Sequence, residues 1–361
     1  MQGQRAARLR IAGTYVGTVV GAGFASGQEI LRFFTAYGAW AWAGLAVAAT
    51  LLALFAVIVI WVGAACRAES HREVIRAIGG RRLGLFADWV ISGFLFAGAG
   101  VMMAGSGAIF REQFGLPAWL GSAVMAGAAI VTVWFRLRGV TTVTALVAPV
   151  LITAVVTLSI VSVLDRGLPG AQDPPGAVQG AAPSWLIAAA LYASYNLVLA
   201  VPVLAPLGGE VREPGPILAG GTLGGAALGI GALAIHLGLA SGLPETARAE
   251  VPMLLLARHR GDLVGLVYGI VLWLEVYTTA VASLYGVSAR LRSPRRRGYV
   301  AVVTVLGLLA FALSFAGFAD LVQSLYPAVG YLGLVILAAL AWHALRGGGM
   351  PPGRNGRPPR R

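Results

Sequence analysis

The sequence predicts an all-α polytopic membrane protein with about ten transmembrane helices, arranged as two inverted repeats of five. Three observations support this fold class. Of the 361 residues, 58% are hydrophobic and 11% are charged, far below the roughly 25% charged residues of soluble domains. Apolar windows of about 20 residues, long enough to cross a bilayer, recur along the whole chain. The longest internal polar linker, residues 164–184, lies near the midpoint.

The apolar windows divide into five spans on each side of this linker. In the first half they cover residues 9–37, 39–66, 82–110, 117–135 and 140–164, and in the second half 183–209, 215–241, 261–289, 298–316 and 319–345. Together they predict one transmembrane domain over residues 1–345, with repeats at about 9–164 and 183–345. Because five is odd, the second repeat must be inverted relative to the first, and such repeats commonly share a central binding site.

The placement of charge predicts the orientation of these spans. All 27 basic residues are arginines, and most would lie on one side of the membrane if the N-terminus were inside. The positive-inside rule therefore predicts cytoplasmic N- and C-termini. It also attributes the net charge of +13 to topology and contact with membrane lipids, and not to nucleic-acid binding. The Gly-, Pro- and Arg-rich tail, residues 346–361, is predicted to be a disordered basic cytoplasmic segment.

The first span carries three glycines near its centre, Gly21, Gly23 and Gly27. Each glycine costs a helix up to about 1 kcal/mol. Ser26 and Glu29 then match the S-x-x-E capping box that starts a helix. The span is therefore predicted to end near position 20 or 21 and to restart at Ser26. An alternative is a small-xxx-small packing face formed by the glycines at positions 13, 17 and 21.

A break at this depth would create polar backbone ends within the hydrocarbon, which are stable only beside a polar cavity or a bound solute. The carbonyls of Gly17, Thr18 and Val20 would favour a cation, and the amides after the break would favour an anion. A zwitterionic solute next to a coupling ion satisfies both ends. The predicted solute-binding residues of this span are Gly21, Ala22, Gly23, Phe24, Ala25, Ser26 and Gly27.

The sixth span, which corresponds to the first in the second repeat, is predicted to break as well. It contains a polar and aromatic cluster at membrane depth, and Pro202, a favoured first-turn residue, follows. The predicted solute-binding residues of this cluster are Tyr192, Ser194, Tyr195 and Asn196. The alternative is a proline kink, with the Tyr and Asn side chains bonded to other helices.

Two acidic residues, Glu275 and Glu29, lie well inside predicted spans and not near their ends, and they are candidates for function, since intramembrane carboxylates are costly. Glu275 is deep in the eighth span, and Thr278 and Thr279 follow it with hydroxyl oxygens suited to a small cation. The alternative for these threonines is a hydrogen bond back to the preceding helical turn. Glu29 either caps the restarted helix or, like Glu275, is a protonatable coupling carboxylate.

Residues 244–260, between the seventh and eighth spans, form an amphipathic segment on the outer side. It is interpreted either as a helix lying on the membrane surface or as a lid over an entrance.

The stretch GTYVGTVVGAGFASGQEILRFF, residues 13–34, resembles the first span of the YkvI-like family of bacterial membrane proteins. This family belongs to the LeuT-type, amino acid–polyamine–organocation superfamily of secondary transporters. The resemblance implies discontinuous first and sixth helices and a location in the bacterial cell membrane. It also implies a sodium site formed by the backbone carbonyls of Gly17, Val20 and Glu275 with Thr278 and Thr279. A glutamate at position 275, where relatives carry a small residue, keeps proton coupling open.

The predicted function is cation-coupled symport, with sodium favoured, of a small zwitterionic or amine solute by alternating access. An amino acid is the foremost solute. Proton-coupled transport or exchange, and a membrane receptor that binds a solute without transporting it, are the alternatives. No nucleophile–base pair or metal-ligand set indicates an enzyme, and no cofactor other than a coupling ion such as sodium is expected. The oligomeric state is left open.

Overall fold

The chain forms fourteen α-helices and one 3₁₀ helix in the computed structural model, which describes residues 2–135, 140–168, 178–211, 213–291 and 296–347. This described part contains no β-strand. The predicted all-α membrane class is therefore confirmed. The predicted disorder of the basic tail concerns residues that lie almost entirely outside the described ranges.

The first half of the chain supplies seven helices. They are α1 (Gln2–Val19), α2 (Ala22–Ser26), α3 (Gln28–Phe33), α4 (Ala41–Cys66), α5 (His71–Phe114), α6 (Ala118–Trp134) and α7 (Val140–Arg166), with the 3₁₀ helix at Thr35–Trp40 before α4. The predicted first span is divided among α1, α2 and α3. Helix α5 extends well before the predicted start of the third span and bends at Gly80, where φ is 70°.

The second half also supplies seven helices. They are α8 (Trp185–Glu210), α9 (Pro214–Ser241), α10 (Glu245–Arg248), α11 (Pro252–Arg258), α12 (Asp262–Arg290), α13 (Arg296–Ser314) and α14 (Phe318–Leu345). Across the described residues, eight helices are long and apolar enough to cross a membrane. Helix α6 is apolar but shorter. The interrupted first span, α1 to α3, is the remaining predicted span. This arrangement accommodates the predicted spans, whose number stays a prediction.

The contacts between helices follow a symmetrical scheme. Helix α1 packs on α9 while α4 packs on α8, and α5 packs on α14 while α12 packs on α7. Suppose that α1 corresponds to α8, α4 to α9, α5 to α12 and α7 to α14. The α1–α9 contact is then equivalent to the α8–α4 contact, and the α5–α14 contact to the α12–α7 contact. Two inverted five-span repeats would produce this pairing. The relation between the halves itself stays a prediction.

Helices α4 and α8 approach more closely than most side chains would allow, because glycines lie at their interface. A Cβ atom on Gly63 would lie 2.2 Å from the carbonyl oxygen of Ala205, and one on Gly208 would lie 2.1 Å from that of Ile60. In hydrocarbon, where no hydrophobic force drives helices together, such close backbone packing is a main source of association. It anchors α8, which carries part of the central site, against α4.

We expect Gly208→Ala to destabilise the protein, because its methyl group would meet fixed backbone atoms rather than a mobile side chain. Overpacking of this kind costs about 1–3 kcal/mol. The matched control is Gly127→Ala in α6, where an added Cβ meets nothing within 4 Å. Thermal unfolding in detergent should show a lower midpoint for the first variant only, and equal midpoints would contradict the close contact.

Candidate solute and cation site

The first span is interrupted at Gly21, as the sequence predicts. The last hydrogen bond of α1 runs from the amide of Val20 to the carbonyl of Val16, at 2.8 Å. Gly21 then adopts an extended conformation, with φ −129° and ψ −170°. Helix α2 makes little more than one turn before Gly27, whose φ of 82° places it in the left-handed region. The span therefore has two interruptions, one at each of these glycines.

The predicted capping box at Ser26 and Glu29 is wrong. Ser26 is the last residue of α2, and its Oγ donates to the carbonyl of Gly23 at 2.8 Å. Glu29 instead accepts a hydrogen bond of 2.5 Å from the hydroxyl of Tyr195. The helix restarts after Gly27 because glycine adopts the left-handed conformation without steric cost, so no side-chain cap is needed to set that boundary.

The predicted break in the sixth span is also wrong. Helix α8 runs without interruption from Trp185 to Glu210 and includes Pro202 and Pro206. Unlike the first span, the segment from Tyr192 to Asn196 has no glycine that would favour leaving the helix. A proline removes one backbone donor and can be accommodated when neighbouring groups compensate.

The alternative described for this span, with Tyr and Asn side chains bonded to other helices, is met by Tyr195, which donates to Glu29 of α3, and not by Asn196. The Nδ2 of Asn196 donates to the carbonyl of Tyr192 at 2.9 Å. The Oγ of Ser194 donates to the carbonyl of Gly330 in α14 at 2.7 Å. Ser194 therefore joins α8 to α14 and does not face the solute site.

A cavity of about 240 Å³ lies beside the break in the first span. It is bounded by the end of α1, by α2 and α3, and by α5, α8, α12 and α14. Eleven of the predicted site residues line it, and they come from both halves of the chain: Gly17, Val20, Gly21, Ala22, Gly23, Glu29, Tyr195, Asn196, Glu275, Thr278 and Thr279. The structure thus brings the predicted solute and cation residues into one space, and their roles stay predictions.

The other predicted residues do not line this cavity. Phe24, Ala25, Ser26 and Gly27 are buried on the remaining part of α2 and its end. The carbonyl of Ala25 accepts a 2.5 Å hydrogen bond from the hydroxyl of Tyr268 in α12. Tyr192 belongs to an aromatic cluster described below, and its hydroxyl is buried without a hydrogen-bond partner. These residues are packed in the protein interior next to the residues that line the cavity.

Sequence reasoning missed several lining residues, including Phe94, Met102, Ser283 and Tyr326. Ser283 was detectable, since Glu275, Thr279 and Ser283 recur every four residues along one face of α12. Tyr326 precedes Pro327 in the tenth span. A polar aromatic residue followed by a proline is also the signal on which the prediction for the sixth span is based. Phe94 and Met102 lie in an apolar stretch of α5 and gave no signal.

Two buried carboxyl groups face the cavity, and they have different surroundings. The side chain of Glu29, 5% exposed, is held against Gly23 so closely that a Cβ atom there would lie 1.8 Å from its Oε1. Glu275 is 2% exposed, and its Oε2 has no hydrogen-bond partner among the described residues. The hydroxyl of Thr278 donates to the carbonyl of Glu275 at 3.0 Å, which is the back-bonding alternative for that threonine.

The glycines of α1 do not form the packing face that was the alternative to a break. A Cβ atom on Gly13, Gly17 or Gly21 would meet nothing within 4 Å. Gly13 and Gly17 are exposed, and Gly17 lines the cavity. In the opposite direction, residues 22–31 are all buried. The cavity is therefore open along α1, toward the N-terminal end of the chain, and closed toward α3.

An aromatic cluster closes the α3 side of the cavity. Tyr195 lies at its centre, with ring centroids 5.5 Å from Phe33 and Tyr192, and 5.0 Å from Tyr326. Phe94 completes the cluster, 5.6 Å from Tyr326. These large buried rings leave no room for a solute to leave in this direction without rearrangement.

The segment 244–260 packs onto this closed side, which favours the lid interpretation over a helix on the membrane surface. The side chain of Met253 in α11 covers Gly27, where an added Cβ would lie 2.9 Å from its Cγ. The carboxylate of Glu112, at the end of α5, accepts hydrogen bonds from the amides of Glu250 (2.6 Å) and Val251 (3.1 Å).

Sequence comparison identifies the family. The chain is 30% identical over 349 residues to the membrane protein YkvI of Bacillus subtilis (strain 168), covering 94% of this chain and 97% of YkvI. The chain belongs to the YkvI family of membrane proteins. It is also 25% identical to the protein YyaD of the same organism, over 90% of this chain and 93% of YyaD. No family model matches the sequence.

Solved structures of LeuT-type transporters share the fold of this YkvI-family protein. MhsT in complex with L-phenylalanine matches with a TM-score of 0.62 and 17% identity, over 96% of this chain and 93% of MhsT. Inward-facing Mhp1 matches with a TM-score of 0.59 and 15% identity, over 94% and 77%. A Na+-coupled sialic acid symporter matches with a TM-score of 0.57 and 14% identity, over 93% and 78%. The predicted LeuT-type fold is confirmed.

We expect Gly23→Ala to disrupt the site while leaving the fold intact. Its methyl group would displace the carboxyl group of Glu29 and break the hydrogen bond to Tyr195. Loss of a hydrogen bond to a charged group costs about 1.5–3 kcal/mol. Gly13→Ala, on the exposed face of α1, is the matched control. Ligand-induced thermal stabilisation should be lost in Gly23→Ala and kept in Gly13→Ala, and full stabilisation in both would contradict the role of the Gly23–Glu29 contact.

Proposed function

We propose that this YkvI-family protein is a secondary active transporter that moves a small zwitterionic or amine solute together with a cation. Sodium is the favoured cation. The main support for this proposal is that backbone carbonyls and polar side chains line one cavity. The open carbonyl end of α1 lies opposite the carboxyl and hydroxyl groups of α12. Binding a solute and an ion in one space is what couples their movements.

The cation would be held by oxygen atoms from both helices. The last carbonyls of α1, including that of Gly17, and the carbonyl of Val20 directly after it have no amide donor within this helix. On α12, Thr278 and Thr279 provide hydroxyl oxygens beside the same cavity. Carbonyl and hydroxyl oxygens are hard ligands of the kind that sodium takes. The unpartnered Oε2 of Glu275 supports the second candidate, proton coupling through that carboxyl group.

The one-sided opening of the cavity supports alternating access. It is open along α1 and closed by the aromatic cluster and α11, so a transport cycle requires this closed side to open and the α1 side to close. We propose that the N- and C-termini are cytoplasmic in a bacterial cell membrane, on the basis of the arginine distribution. The structure then corresponds to a form that is open to the cytoplasm.

Uptake into proteoliposomes tests the function and the ion together. A panel of amines and amino acids is first screened by thermal stabilisation, since ligand that binds only the native state raises its stability. The stabilising compound is then supplied, radiolabelled, under a sodium gradient, a proton gradient or neither. We expect accumulation under the sodium gradient. Accumulation under the proton gradient alone would overturn sodium coupling, and binding without any flux would favour the receptor alternative.

Thr279→Ala should reduce sodium-dependent uptake about tenfold or more, the effect of losing one good oxygen ligand worth about 1.4 kcal/mol. Thr50→Ala is the matched control, because Thr50 lies exposed on α4 and its hydroxyl only bonds back to the carbonyl of Ala46. Unchanged sodium dependence in Thr279→Ala would exclude this residue from the ion site.

A further inference from the structure

We propose that the solute is a small organic amine without a free carboxylate, bound as an ammonium ion beside Glu29. This proposal rests on the transport function proposed above and narrows its solute class. Amino acids, the foremost expectation from the sequence, would then be weaker ligands than amines that carry the same side chain.

The charges that face the cavity are the first reason. Among the described residues, its lining includes two carboxylic acids, Glu29 and Glu275, and no arginine, lysine or histidine. A solute carboxylate would thus have no basic side chain to pair with. A buried charge without a partner is strongly disfavoured. The lining is suited to contents with a net positive charge, namely an ammonium group and a coupling cation.

The place where a solute carboxylate would be expected is the second reason. The first amides of α2, next to the break, are the groups that would favour an anion. The protein's own carboxyl group lies against the first turn of α2, because a Cβ atom on Gly23 would be 1.8 Å from the Oε1 of Glu29. Tyr195 donates its hydroxyl hydrogen to the Oε2 of the same group. A second carboxylate at this position would meet a like charge and a donor that is already used.

The third reason is the aromatic surface around Glu29. Tyr195, Tyr326 and Phe94 all line the cavity, and their rings lie within 6.3 Å of one another. Aromatic faces attract ammonium groups, most strongly where water is excluded. A carboxylate combined with aromatic rings is a recognition surface for an ammonium ion with an apolar substituent.

Glu275 supplies an independent sign that the cavity takes a cation. Its side chain is buried at 2% exposure and its Oε2 has no hydrogen-bond partner, on the helix face whose other members line the cavity. A buried carboxylate with one oxygen left unpaired is stabilised by a bound cation or a proton. The ammonium ion at Glu29 and the coupling cation near Glu275 would balance both acidic groups.

Matched sets of compounds test the proposal on the wild-type protein. One set is phenethylamine, L-phenylalanine and 3-phenylpropanoate, and the other is isoamylamine, L-leucine and 4-methylpentanoate. Each set varies the charged groups on a constant or closely similar apolar part. Titration calorimetry and thermal stabilisation at neutral pH should give an amine Kd at least about tenfold lower than that of the matching amino acid, as expected for removing one repelled charge. Neither acid should bind.

Glu29→Gln locates the effect, because glutamine has the same size and its carbonyl can still accept from Tyr195. We expect amine affinity to fall about tenfold or more, the loss of one charge-assisted hydrogen bond, and amino-acid affinity to stay equal or rise. Glu213→Gln, which makes the same change at an exposed residue outside the cavity, should alter neither. If Glu29→Gln does not fold, the wild-type series decides.

The results separate this proposal from the proposed function. An amino acid that binds as tightly as its amine, or more tightly, would overturn the solute assignment, while its sodium-driven uptake would preserve the transporter. No binding by either amine would also overturn the assignment. Tight amine binding without flux under any gradient would support the charge preference and overturn the transport function.

Discussion

The arrangement of the site depends on one constraint: a backbone polar group in hydrocarbon must be paired or must face a polar space. The first span loses its helical backbone hydrogen bonding at Gly21, which is extended. This loss is tolerated because the freed backbone groups lie beside the cavity. The break creates a carbonyl end and an amide end at the same depth. The oxygen atoms of α12 and the buried carboxyl group of Glu29 line the same cavity as these ends.

Three glycines of the chain serve three different physical purposes. Gly27 adopts a left-handed conformation that separates α2 from α3. Gly23 leaves space for a carboxyl group that could not otherwise approach the helix. Gly208 lets α8 contact the backbone of α4. Substitution at each should fail in its own way, through backbone strain, loss of the site or loss of packing, so the glycines cannot be treated as one class of flexible residue.

The sequence predicted the all-α membrane class and the interruption of the first span at Gly21, because hydropathy and glycine content act locally. It failed where the outcome depends on contacts between distant residues. Glu29 was interpreted as a possible cap from its spacing to Ser26, yet its partner is Tyr195, 166 residues away. The break expected in α8 was inferred from correspondence with the first span and from Pro202, but α8 continues through this proline and has no glycine between Tyr192 and Asn196. Eleven of the predicted site residues nonetheless line one cavity, because both the interrupted backbone and polar side chains at membrane depth are stable only where water or solute can satisfy them.

The one-sided opening of the cavity is the feature that joins the broken helix to transport. Labelling of single cysteines by a membrane-impermeant maleimide, applied at the N-terminal face in a Cys66→Ser background, measures it directly. Gly17→Cys lies on the exposed, cavity-lining face of α1, whereas Ala25→Cys lies in α2 at a position that is 0% exposed. The structure predicts rapid labelling at position 17 and none at position 25. Equal labelling at both positions, or none at position 17, would contradict a water-accessible cavity that ends at the break.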